Sequence, residues 1–118
     1  MSIFTQVVAV LVAIEFIYIF LLETIATKSA KTSKVFGMDK EELSRKSVNT
    51  LFKNQGVYNE LLYVLIFVAV FAFASKAAVI ALMLYIIGVA IYGRFTSNPN
   101  IILLQGGLAI VTLISCFF

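Results

Sequence analysis

The sequence predicts an all-α, polytopic membrane protein: four antiparallel transmembrane helices, with a basic cytosolic loop and a short helix between helices one and two. Three observations predict it. Hydrophobic residues make up 62% of the 118 positions and the mean hydropathy is +1.05, where soluble domains hold about 45–50% apolar residues. The apolar residues gather into four runs near membrane length. Seven of the nine basic residues fall in one stretch between the first two runs. A chain this small has too little interior to hide so much apolar surface from water, so a bilayer is the expected solvent. One domain, residues 1–118, accounts for the length.

The first run extends from about Ile3 to Ala26. At 1.5 Å per residue, about 20 helical residues cross a hydrocarbon core of about 30 Å. This run lacks a positive leading region, is long for a signal peptide and carries Glu15 and Glu23, so it reads as a retained span. The loop follows, from Lys28 to Lys53. It holds Lys28, Lys31, Lys34, Lys40, Arg45, Lys46 and Lys53 against Asp39, Glu41 and Glu42. The positive-inside rule places it in the cytoplasm. Within it, Asp39 with Glu42 three residues on resembles a capping box, and a helix is expected from Lys40 to Lys53, either ending there or continuing into the second run, with Val48, Leu51 and Phe52 as its apolar side.

The second run extends from about Val57 to Ala74, the third from about Ala77 to Tyr92 and the fourth from about Ile101 to Phe118. Ser75 and Lys76 form a short outer connection. Asn98 and Pro99 read as N-cap and first residue of the last helix, which makes the third connection tight. Alternate crossing then puts Arg94 on the cytoplasmic side and both termini outside, in a multi-pass protein of the cytoplasmic membrane.

Polar residues inside these runs need partners. At 100° per residue, Gln55, Tyr58, Asn59, Leu62 and Ile66 share one face of the second helix, and Glu60 points away. Glu15, Tyr18, Leu22 and Glu23 share a face of the first. Ala81, Tyr85, Gly88 and Tyr92 share a face of the third, and Gln105, Ala109, Thr112 and Cys116 a face of the fourth, beside Gly106 and Gly107. Small residues at helical spacing let helices approach closely in lipid. Glu23, Gln55, Asn59, Tyr92 and Gln105 all lie within about 10 Å of the cytoplasmic helix ends, with Arg94 as the cation beside them. Two readings stand: a polar cavity open to the cytoplasm, or an interhelical hydrogen-bond network that only holds the bundle. Glu15 lies near the midplane, where an ionised carboxylate is costly. It reads as a proton or cation site, or as a neutral group bonded to a neighbouring helix.

The chain has no His and one Cys, Cys116. An internal disulfide is therefore impossible and His/Cys metal sites are excluded. No nucleophile triad, phosphate loop or metal cluster is evident, and no cofactor is expected. The net charge of +3 is concentrated in the loop, which reads as topology and lipid contact and not as nucleic-acid binding.

Several of these residues carry a resemblance. They are Glu15-Phe16-Ile17-Tyr18-Ile19 with Glu23, Val35-Phe36-Gly37, Asn54-Gln55-Gly56-Val57-Tyr58-Asn59, Tyr92-Gly93 and Leu104-Gln105-Gly106. Across almost its whole length the chain resembles a bacterial family of small four-helix membrane proteins, domain of unknown function thirteen-oh-four. The family often has a His where this chain has Phe16. The resemblance implies fold and topology and supplies no activity. More loosely, the four-helix plan is similar to the membrane-associated eicosanoid and glutathione metabolism superfamily, without its helix-two Arg. The size and Glu15 are similar to the small multidrug resistance family, without its Trp.

The expected function is small-molecule binding or transport through a cytoplasm-facing polar cavity. Its candidate residues are Glu15, Tyr18, Glu23, Gln55, Tyr58, Asn59, Tyr92, Arg94 and Gln105. The alternatives are a glutathione- or lipid-metabolising membrane enzyme, using Tyr58 or Arg94 to steady an anion, and a structural subunit of a membrane complex. The expected partners are the lipid bilayer, a small-molecule ligand and further copies of the chain, in a homo-oligomer.

Overall fold

The structure is a computed structural model. It describes the backbone of residues 1–96 and 100–118, and the side chains there apart from 94, 96 and 100–105. The expected Asn98 cap with Pro99 lies outside the described residues. Within them the chain is all helical. Helix α1 (Ile3–Phe20) starts at Ser2, whose hydroxyl accepts from the Thr5 N–H at 3.1 Å. It runs on into a π-helical turn, Leu21–Ile25, closed by the Ala26 N–H donating to the Leu21 carbonyl at 2.8 Å.

The loop is more structured than its composition suggests. Helix α2 (Ala30–Phe36) was not among the expected elements. Ser29 caps its start, and Gly37 at φ 65° ends it in the left-handed region that glycine enters without strain. The helix expected from Lys40 to Lys53 is broken once, at Arg45, and beyond the break it does continue into the second run. Helix α3 (Lys40–Ser44) stops where Arg45 turns extended, and the remainder belongs to helix α4 (Lys46–Phe67). Asn49 Nδ2 donates to the Leu43 carbonyl at 3.3 Å, filling an acceptor at the break. Asp39 does stand at the N-cap of α3, but its side chain makes no capping bond. Phe36 meets Phe52 edge-on at 5.2 Å and fastens α2 to the start of α4.

Helix α4 ends in a second π-helical turn, Val68–Ala72. The turn to helix α5 (Lys76–Thr96) includes Ala74 at φ 45°, and Ser75 Oγ accepts from the Ala78 N–H at 3.1 Å. Helix α6 (Asn100–Ser115) follows. Among the described residues, three stretches are long and apolar enough to cross a membrane: Ile3–Ile25, Lys46–Ala72 and Lys76–Gly93. The molecule measures 47 Å along its longest axis, where a bilayer with its headgroups is about 40–45 Å thick. Large apolar side chains such as Phe4, Leu11, Leu65, Phe71 and Leu84 point outward. That surface is costly in water and matched by lipid.

Helix α1 lies between α4 and α6, and α5 packs on α6. Thr5 Oγ1 donates to Ser115 Oγ at 2.9 Å, placing the start of α1 beside the end of α6. At the other end the π-helical turn meets α4 at Gly56. A Cβ there would lie 1.7 Å from Thr24 Oγ1, and the Thr24 hydroxyl donates to the Lys53 carbonyl at 3.1 Å. Gly106 fits against Ala90 in the same manner, with a Cβ meeting it at 3.3 Å. Both are close approaches between small residues. The core joins Val12 and Phe16 of α1, Ile66 of α4, Val79 and Met83 of α5, and Ala109 of α6, with Cys116 beside them.

Candidate functional site

The π-helical turn that ends α1 carries the central residue. Such turns insert one residue into the ladder, shift the faces beyond it and recur at functional sites. Here Glu23 is turned inward and is 4% exposed. Asn59 on α4, 7% exposed, donates from Nδ2 to Glu23 Oε1. Carbonyls freed at the helix end are filled locally. The Thr27 hydroxyl donates to the Glu23 carbonyl, and the Thr32 hydroxyl to the carbonyls of Leu22 at 3.0 Å and Ala26 at 2.7 Å. The backbone around Glu23 is thus held by hydroxyls, and α2 is pinned beneath it.

Glu23 and Asn59 lie on the wall of a cavity of about 330 Å³. Gln55, Tyr58 and Leu62 of α4 form one side, Phe16 and Ile19 of α1 the floor, and Tyr85, Ile86 and Val89 of α5 the other side. Gln55 and Tyr58 are exposed and make no hydrogen bond to the described residues. The size falls in the range of small-molecule sites, as does the mixture of aromatic walls with a few polar groups.

Of the sequence-predicted site residues, the structure brings together Glu23, Gln55, Tyr58 and Asn59. Tyr18 lies elsewhere, with the Lys31 ammonium 5.3 Å from its ring centroid. Glu15 is not on the cavity wall. Both its carboxyl oxygens are buried with no hydrogen-bond partner among the described residues, Tyr18 included. Tyr92 is exposed and is not on the wall. The side chains of Arg94 and Gln105 lie outside the described residues. Of the wall residues outside the predicted set, Tyr85 is the one with a polar side-chain atom; the others, Phe16, Ile19, Leu62, Ile86 and Val89, are apolar. That Tyr85 shares a face with Ala81 was the available signal.

A family model described as "Protein of unknown function (DUF1304)" matches residues 10–117. A protein of Lactococcus lactis subsp. lactis (strain IL1403), described as "Uncharacterized protein YpaA", is 56% identical over 119 residues, and the alignment covers 100% of each chain. No solved structure matches the chain.

Proposed function

The chain belongs to the DUF1304 family, and from that premise we propose an integral membrane protein whose four antiparallel helices bind a small molecule in the cavity at Glu23. The basic segment from Lys28 to Lys53 is its cytosolic loop, and the cavity opens towards that side. The observation that carries this reading is the buried Glu23–Asn59 pair on the cavity wall. A carboxyl group in a membrane interior is costly to bury. One neutral amide compensates it in part, and the rest of the wall offers Gln55 and Tyr58, whose polar atoms are left for a ligand. A network serving only to hold helices together would pair its members with one another.

The test is native mass spectrometry of protein taken from its membrane with surrounding lipid in polymer nanodiscs. The wild type should carry a defined additional mass. Gln55→Ala and Glu23→Gln should lose it while keeping their helical content. A wild type without bound mass, or variants that retain it, would overturn the reading.

A further inference from the structure

We propose that the ligand is a long-chain amphiphile with a cationic amine head, seated head-first at Glu23 with its chain between α4 and α5. This rests on the cavity being a binding site, and adds which molecules it takes. The cavity at Glu23 does not end at Tyr58. A second cavity of about 440 Å³ shares Tyr58, Leu62 and Tyr85 with it and continues between Leu65 and Ala81. The two form one trough, polar at the Glu23 end and aliphatic at the other.

Three features select the occupant. The first is charge. Glu23 is the only Asp, Glu, Lys or Arg among the described residues of the trough wall. Its carboxylate only accepts hydrogen bonds, and the Asn59 amide N–H already points at it, leaving Asn59 Oδ1 as a further acceptor. A head rich in donors and positive in charge complements these groups, whereas a phosphate or sulfate would meet Glu23 with like charge. The second is length. From Gln55 to Leu65 the trough follows α4 for about 15 Å at 1.5 Å per residue, the reach of an alkyl chain of roughly a dozen carbons. The third is access. Tyr58, Leu65 and Tyr85 are each at least half exposed on the lipid-facing side, so a chain can slide in sideways from the bilayer without leaving an apolar medium.

The experiment compares dodecylamine, butylamine and dodecyl sulfate at equal concentration on the protein in nanodiscs, counting bound molecules by native mass spectrometry. Dodecylamine should bind at least tenfold better than either of the others. Glu23→Gln should lower its binding about tenfold, and Ala81→Phe, which fills the trough beyond the head, should lower it similarly. Should Glu23→Gln fail to fold, Gln55→Ala at the exposed rim replaces it. Equal binding of dodecylamine and dodecyl sulfate would overturn the inference, since chain partitioning alone would explain it. Equal binding of butylamine would overturn the chain part and leave the cavity reading standing. A wild type whose carried mass, lost in Gln55→Ala, is displaced by no probe and is itself no cationic amphiphile would overturn only the amphiphile. No binding and no carried mass would overturn both.

Discussion

Asn59 donates its side-chain amide to the Glu23 carboxyl, joining the second long helix to the π-helical turn that ends the first. The pair is buried, and it fixes the cavity wall to the helix packing. A double-mutant cycle on Glu23→Leu and Asn59→Leu, each of which removes the bond, should therefore give a coupling of about 0.6 kcal/mol, the average for polar pairs between membrane helices, and at most about 1.7 kcal/mol. Reversible unfolding in mixed micelles measures it, and strictly additive effects would refute the contact.

Among the described glycines tested with an added Cβ, Gly56 is the most closely confined. A methyl group there would sit 1.7 Å from Thr24 Oγ1 and 3.0 Å from Thr24 Cβ. Gly56→Ala should destabilise by about 1–3 kcal/mol, as overpacking does, and adding Thr24→Ala should recover part of the loss. Gly88 and Gly107 have nothing among the described residues within 4 Å of an added Cβ. Alanine at either should be neutral or mildly stabilising, by up to about 1 kcal/mol of helix propensity. The contrast between the positions is read from the same unfolding curves.

Thr32 is fully buried, and its hydroxyl serves two carbonyls at the end of the first span. Thr32→Val keeps the shape and removes the donor. The Ala26 carbonyl keeps the Ser29 N–H as its donor, so the loss falls on the Leu22 carbonyl and should cost about 1–3 kcal/mol. Protease cleavage between Lys28 and Lys53 should speed up about tenfold, because α2 would come loose. Cleavage at the wild-type rate would show that Thr32 does not hold the segment.

Orientation is tested with a single thiol. In a Cys116→Ala background, Lys34→Cys should react with a membrane-impermeant maleimide only after the cytoplasmic side is opened. Reaction in intact cells would reverse the topology assigned to the basic segment.

Some of this was legible in the residues. Gln55, Tyr58 and Asn59 share a helical face by spacing alone, and Glu23 follows by depth. Tyr85 needed more. It sits earlier in its helix than Tyr92, the residue placed by depth with Glu23 and Gln55, and becomes a wall only because the cavity reaches between α4 and α5. The π-helical turn left no sequence mark, since neither proline nor glycine stands within Leu21–Ile25. Gly56 stood inside a recognisable string, yet its role depends on Thr24, a neighbour that only the fold supplies. Helix α2 was within reach, because Ser29, Thr32 and Gly37 are ordinary capping residues. The split at Arg45 depends on one backbone angle, and Lys, Ser and Asn around it suit either path.

The account stands most directly on what occupies the cavity. An experimental density map of the protein in a lipid nanodisc, with resolution sufficient for side chains, would show it. The account predicts elongated density with one end between Glu23 and Gln55 and the other reaching past Tyr58 towards Ala81. A map in which α4 and α5 close together, or in which only ordered water lies against Glu23 and Asn59, would contradict it.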